Sequence, residues 1–201
     1  MRRRRFGFWT SLLTFAFALA LFAVGGKVAR ADSGAGTFLW FAASIPAVCS
    51  QDPSFCPDIT KAPNGDTIEI TGAGTLSLHS KSVTGGGTFT QKNAAGTVIA
   101  LGVFTATDLL SFSDYGTAVP FFPPNVHGGL AIMRVHLTPS TGGAGVDAIL
   151  EIDCAINAPG LLTPTGEIRE VRKELEGIRL AVHGGPNFNE HVSGFTVFIA
   201  I

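Results

Sequence analysis

The most constraining feature of this sequence is an alternation of apolar and polar residues with a period of two, interrupted by glycine turns. In residues 130–138, Arg134 and His136 fall on one face, and the other face is apolar, with Ala131, Met133, Val135 and Leu137. Residues 146–154 repeat the alternation, and a Gly-Gly-Ala-Gly turn at 142–145 joins the two runs. Because side chains of a strand alternate between the faces of a sheet, this pattern predicts an antiparallel hairpin with one buried face.

Further runs of the same kind occur along the rest of the chain, at 66–71, 74–80, 87–91, 97–107, 109–113, 177–183 and 192–201. The sequence therefore predicts an all-β fold, a single domain of eight or nine antiparallel strands arranged as a barrel or as a sandwich. One short inserted helix is predicted at about 165–176, where Ile168, Val171 and Leu175 recur at helical spacing.

The chain begins with the features of an export signal. Arginines at 2–5 precede an apolar run to about Val24, and Ala29-Arg30-Ala31 fits the small-residue site of a signal peptidase. We predict a signal peptide over 1–31, cleaved after Ala31, with the Sec and twin-arginine routes both open. The alternative is an uncleaved anchor, because about 19 apolar residues can just span a bilayer.

Cleavage would divide the chain into the leader, an N-terminal segment at 32–62 and a β-domain at 63–201. Six of the 14 Lys and Arg residues lie in the leader and no acidic residue does, so 8 basic residues remain against 15 acidic ones, a net charge of −7. An acidic domain repels phosphate backbones and anionic lipid. We expect a secreted, periplasmic or otherwise extracytoplasmic protein of unknown partner, with no nucleic acid bound and no stable membrane insertion after cleavage.

Three cysteines follow the leader, Cys49, Cys56 and Cys154. An oxidising compartment favours one disulfide. A Cys49–Cys56 bond would close a local loop, and a Cys56–Cys154 bond would tie the N-terminal segment to a later strand. The sequence does not decide between these two, and it favours Cys49–Cys154 less. Cys154 falls on an apolar strand face, which indicates a buried thiol or a disulfide partner and not a nucleophile.

The strong catalytic motifs are absent from the sequence: there is no HExxH, GxSxG, GxxxxGK[ST], CxxC, His-x-His or EF-hand loop. What remains is a set of polar residues opposite the apolar strand faces, which we interpret as a solvated outer surface with cross-strand pairs: Glu69, His79, Arg134, His136, Asp147, Glu151, Asp153, Arg179 and His183. No cofactor is predicted.

Two hypotheses place a site among these residues. His136 and Glu151 lie on the two strands of the predicted hairpin, so they are the candidate acid–base pair. His183, Glu190 and His191 bracket a glycine turn, so they are the candidate ligand or cation site. The competing interpretation of both sets is structural, as surface charge pairs and as a conformational turn.

Several segments carry a resemblance to known proteins. Cys56-Pro-Asp58, the run Asn64-Gly-Asp-Thr-Ile-Glu-Ile and the run Gly184-Gly-Pro-Asn-Phe-Asn-Glu190 resemble a group of uncharacterised secreted bacterial all-β proteins. This resemblance implies an exported β-domain, and it implies no activity, cofactor or site. Residues 83–89, Val-Thr-Gly-Gly-Gly-Thr-Phe, are similar to a glycine-rich strand start of allene oxide cyclase and dirigent barrels, which have eight strands and an apolar cavity.

Two functions remain in competition. The first is a secreted non-catalytic β-domain that binds or scaffolds outside the cytoplasm, and the missing motifs favour it. The alternative is a β-barrel that binds a small apolar ligand, such as an isomerase or cyclase; a hydrolase using Glu151 and Asp153 is less favoured. A cavity above about 300 Å³ lined by Phe and Leu would favour the ligand-binding barrel, and a filled core would favour the first function.

Overall fold

The computed structural model describes residues 36–117, 119–159 and 176–201. The predicted signal peptide at 1–31 lies outside the described residues, and so does the predicted helix at 165–176 apart from its last residue. Eleven strands make up the described fold: β1 (Thr37–Ala42), β2 (Asp58–Lys61), β3 (Thr67–Ser77), β4 (Ser82–Lys92), β5 (Val98–Thr117), β6 (Val126–Pro139), β7 (Val146–Cys154), β8 (Gly177–Val182), β9 (Asn187–Phe188), β10 (Glu190–Ser193) and β11 (Thr196–Ala200). A short helix α1 (Pro46–Cys49) and a 3-10 turn (Pro53–Phe55) connect β1 to β2.

The strand pairings close on themselves. On one edge β3 pairs with β4, and on the other edge it pairs first with β2 and then with β1. Likewise β6 pairs with β5 on one edge and with β7 and β11 on the other. Because β1 pairs with β11 and β4 with β5, six strands (β1, β3, β4, β5, β6 and β11) form a closed antiparallel ring. The all-β prediction is confirmed, and closure is the property that distinguishes a barrel from two separate sheets.

The structure has more strands than the eight or nine predicted because the N-terminal segment contributes β1 and β2 to the sheet. The run at 192–201 is also divided, since Gly194 adopts a φ of +118° and separates β10 from β11. By contrast, the runs at 66–71 and 74–80 join into the single strand β3. Two glycines lie inside β3. A side chain at Gly72 would overlap the ring of Phe104, and a side chain at Gly74 would overlap the ring of Trp40.

Aromatic side chains fill the interior of the ring. Trp40 on β1 is fully buried, its indole Nε1–H donates to the carbonyl oxygen of Thr84 at 3.1 Å, and its ring centroid lies 6.4 Å from that of Phe104 on β5. Phe112 on β5 lies 5.0 Å from Phe38 on β1 and 4.9 Å from Phe198 on β11. Neither β1 nor β11 is paired to β5, so these contacts cross the ring and close its core.

A disulfide fixes the segment between β1 and β2. Cys49 and Cys56 are bonded, which is the local one of the two pairings that the sequence left open. Cys154 lies outside this bond and is buried on β7. Ile45 and Val48 pack into the core beside the disulfide, so the clipped loop is part of the folded domain.

Candidate functional site

An open groove on the outer surface of β6, β7 and β8 gathers several of the predicted polar residues. The groove has a volume of about 720 Å³, with an apolar floor that includes Val146 and Val182. Four residues with polar side chains line it: Arg134, His136, Asp147 and His183.

His136 and Asp147 form the central polar contact of the groove. Nδ1 of His136 lies 2.8 Å from Oδ1 of Asp147, and the backbone N–H of His183 donates to the carbonyl oxygen of Asp147 at 3.0 Å. The hydrogen bond from His136 holds the pKa of Asp147 below its usual value, and the charges of Arg134 and His183 add to this effect. A side chain at Gly145 would overlap the His136 ring, so glycine at this position makes the contact possible.

The structure does not bring His136 to Glu151. The hairpin register sets His136 opposite Asp147, and Glu151 lies opposite Ile132, four residues before His136 in β6. Glu151 instead accepts a hydrogen bond from Nη1 of Arg179 on β8 at 2.7 Å. The predicted hairpin is confirmed. The partner of His136 depends on the pairing register, which is set by the length of the turn and which a pattern of period two leaves open.

His183, Glu190 and His191 also do not converge. His183 lies at the groove, Glu190 is exposed on β10 opposite Lys61, and His191 turns inward from the next position. Successive residues of a strand face opposite sides of the sheet, so Glu190 and His191 are separated by the geometry of β10 itself. Within 36–117, 119–159 and 176–201, no three His, Cys, Asp or Glu side chains form a set that could hold a metal ion.

A second group of polar residues is wholly or partly buried, and we call it the buried acid cluster: Asp58, Glu151, Asp153, Arg179 and His191. Asp58 on β2 is fully buried, and its Oδ1 accepts the backbone N–H of Ile178 at 3.3 Å. Its Oδ2 has no hydrogen-bond partner in the described part of the chain. Burial raises the pKa of Asp58, although His191, Ile178 and Arg179 each act in the opposite direction.

Asp153 is the other buried carboxyl of this cluster. Its Oδ2 lies 3.9 Å from Nη1 of Arg179, and its Oδ1 has no hydrogen-bond partner among the described residues. Burial raises the pKa of Asp153 to about 7; Arg179 opposes this shift and the charge of Glu176 adds to it. A neutral carboxyl group is the form that such a site tolerates best.

The prediction that Asp153 faces solvent is wrong, because both faces of β7 are covered at this end. Tyr115, at the end of β5, contacts Asp153, and burial followed by the charge of Asp153 raises the pKa of Tyr115 to about 12. Thr196 on β11 is also buried here, and its hydroxyl lies 2.6 Å from the carbonyl oxygen of Asp153. The sequence carries one signal that both faces of this segment are buried. The strict alternation of apolar and polar residues is lost at 152–156, Ile-Asp-Cys-Ala-Ile, and all five residues are buried.

Glu176 joins the end of β7 to β11. The sequence pattern does not identify it as a candidate site residue. Its carboxylate accepts the backbone N–H groups of Ala155 at 2.9 Å and of Thr196 at 3.1 Å. Two strand ends would otherwise leave these donors buried without partners, so the contact explains why an acid occupies this position.

The two polar sites differ in their access to solvent. The His136–Asp147 pair is exposed at the groove, whereas the carboxyl groups of Asp58 and Asp153 are enclosed by neighbouring strands. The groove is therefore the polar site that a partner can reach, and the buried acid cluster joins β2, β7, β8 and β10.

Comparison with known proteins gives no match: no family model fits the chain, and neither a curated protein nor a solved structure shows significant similarity to it. The resemblance to secreted bacterial proteins thus remains a prediction from the sequence. In the described part of the chain, no helix has the length and apolar character needed to cross a membrane.

Proposed function

We propose that this chain is a non-catalytic β-domain that acts outside the cytoplasm by binding a partner on its outer surface. The observation that carries the proposal is the filled ring. Trp40 packs against Phe104, and Phe112 packs against Phe38 and Phe198. These rings occupy the space where an apolar ligand would bind in a ligand-binding barrel.

The chemistry of the polar sites supports a binding role over a catalytic one. The carboxyl groups with raised pKa values, those of Asp58 and Asp153, are buried among neighbouring strands. The accessible pair, His136 and Asp147, lies in an open groove that water can enter. Acid–base catalysis benefits from a dry, enclosed site, and this groove does not supply one.

Two features support a location outside the cytoplasm. The Cys49–Cys56 disulfide is stable in an oxidising compartment, where structural disulfides persist. The leader pattern at 1–31 predicts export, and its removal leaves an acidic domain. Secretion and the periplasm are both compatible with these features.

The location is tested by expressing the full chain with its own leader in a bacterial host. We expect the protein in the extracytoplasmic fraction, with Asp32 as its first residue and with Cys49 and Cys56 resistant to alkylation unless a reductant is added. A protein that stays in the cytosol with an intact leader and reduced Cys49 would contradict the proposal.

The binding role is tested against its alternative by titrating the exported protein with lauric acid and following the fluorescence of Trp40. Trp9 lies in the leader, so Trp40 is the one tryptophan that remains after cleavage at Ala31. We expect no saturable change in emission, because Trp40 is already fully buried and packed against Phe104. Stoichiometric binding that changes Trp40 emission, and that Phe104→Ala strengthens, would instead favour the barrel that binds an apolar ligand.

A further inference from the structure

We infer that the loop between β5 and β6 inserts into the surface of a zwitterionic lipid bilayer. Three consecutive apolar residues of this loop are exposed, and we call them the apolar tip: Val119, Pro120 and Phe121. Phe121 is 72% exposed, more than any other large apolar side chain in the described part of the chain. A run of this kind is unfavourable in water and indicates a binding surface. The inference rests on the proposed function, in which the outer surface binds a partner, and it names the partner.

The domain holds the apolar tip in place. Phe122, the next residue, packs against the core. The backbone N–H of Val126 donates to the carbonyl oxygen of Pro123 at 2.9 Å. The N–H of Ala200, at the end of β11, donates to the carbonyl oxygen of Asn125 at 2.9 Å. Because the loop is anchored directly after the tip, little conformational entropy is lost when the tip is bound.

The loop carries no charged side chain. Residues 115–126 contain no Asp, Glu, Lys, Arg or His. The nearest acid before the loop is Asp114, and its Oδ1 lies 2.9 Å from Nδ1 of His127 and accepts the N–H of Gly116 at 2.7 Å. Moving an unpaired charge out of water is costly, so the loop meets a condition for entering a lipid surface.

The small size of the apolar tip favours a lipid surface over a protein partner. A specific protein interface buries at least about 1,000 Å² in total between surfaces of matching shape, and three side chains fall far short of that area. A lipid surface needs no matching shape, and the strength of binding scales with whatever apolar area enters the boundary between headgroups and acyl chains. Phenylalanine is among the side chains that bind at this boundary.

The net charge of the domain selects the kind of lipid. After cleavage at Ala31 the domain carries a net charge of −7, so an anionic surface repels it. A bilayer of zwitterionic lipid has no net charge and leaves the apolar tip free to insert. We therefore expect reversible binding to phosphatidylcholine, and weaker binding when an anionic lipid is added.

The experiment measures flotation of the exported protein with phosphatidylcholine vesicles at up to about 5 mM lipid, because one short insertion gives weak and reversible binding. We expect Phe121→Ser to lower the partition coefficient about tenfold, since the largest side chain of the apolar tip is lost. The matched control is Val192→Ser on β10, which should bind as wild type does, since Val192 is 52% exposed but lies outside the loop. Both variants are checked by circular dichroism for an unchanged fold.

Phe121→Trp supplies a second measurement, which locates the contact. The wild-type chain has one tryptophan after the predicted leader, Trp40, and it is fully buried. Vesicles of brominated phosphatidylcholine quench an indole that enters the bilayer. We expect them to quench the emission that Phe121→Trp adds and to leave the emission of Trp40 unchanged.

Absence of binding to phosphatidylcholine over this range overturns the inference and would favour an apolar pocket on a partner protein. Binding that Phe121→Ser leaves unchanged overturns it too, as does binding that requires an anionic lipid such as phosphatidylglycerol. None of these results depends on lauric acid binding, so failure of the inference and failure of the proposed function are distinguishable.

Discussion

Nδ1 of His191 lies 3.5 Å from Oδ1 of Asp58, and the two side chains are only 9% and 0% exposed. The residues come from β10 and β2, and the backbone of β8 donates to the same carboxyl group through Ile178. One buried carboxyl group on β2 thus contacts two further strands, β8 and β10. This arrangement requires space beside β8, and Gly177 provides it, because a side chain there would overlap the imidazole of His191.

The contribution of this space is measured by Gly177→Ala with Gly184→Ala as its control. Both glycines adopt positive φ, +91° and +71°, but nothing lies within 4 Å of a side chain at Gly184. We expect Gly184→Ala to cost about 1 kcal/mol from backbone strain alone. Gly177→Ala should cost about 3 kcal/mol or more, because His191 must also leave Asp58. Urea unfolding of both variants gives the comparison, and equal losses would contradict it.

The pH dependence of stability is predicted from Asp153. Its pKa is raised from 3.8 to about 7 in the folded protein, so between these values the folded state keeps a proton that the unfolded chain has lost. The free energy of unfolding should therefore fall as pH rises from about 4 to about 7, by an amount on the order of a few kcal/mol, and then level off.

Asp153→Asn should flatten most of this decline and make the protein more stable than wild type above pH 7. The slope that remains is assigned to Asp58, whose pKa is also raised. Asp147→Asn is the control, because the pKa of Asp147 is lowered and its effect on stability has the opposite sign. Denaturant unfolding at a series of pH values tests the prediction, which fails if Asp153→Asn keeps the wild-type slope.

Loss of the disulfide is predicted to weaken the domain without unfolding it. The bonded cysteines are seven positions apart, and closing so short a loop stabilises a protein by about 2–3 kcal/mol. The double variant Cys49→Ala, Cys56→Ala should show this loss in urea unfolding. Added reductant should reduce the stability of wild type to that of the variant and leave the variant unchanged; a reductant effect on the variant would show that another group is responsible.

Trp40→Phe is predicted to cost about 1–3 kcal/mol, because it removes buried ring atoms and the bond from Nε1 to the Thr84 carbonyl. Unfolding followed by circular dichroism measures the loss, since the variant has no tryptophan after the predicted leader. Phe121→Leu is the matched control, as Phe121 is largely exposed and should tolerate the change. A loss at Phe121 as large as that at Trp40 would contradict the assignment of Trp40 to the closed core.

The local features of the candidate site were predictable, and their partners were not. Alternation placed His136 and His183 on an outer face, and both do line the groove. It gave no means to choose Asp147 over Glu151 as the partner of His136, because the choice depends on the register set by the turn. Asp58 was not singled out as a site residue, since nothing in the local sequence distinguishes a buried acid from a solvated one.

The sequence by itself determined the all-β class and the hairpin of β6 and β7. Each of these depends on residues close together in the chain, whose period, turns and spacing can be read directly. Only the tertiary structure decided that the strands close into a ring, that β1 crosses to meet β5, and that Asp58 faces His191. These relationships join residues that are distant in sequence, and they follow from how the whole set of side chains fills one interior.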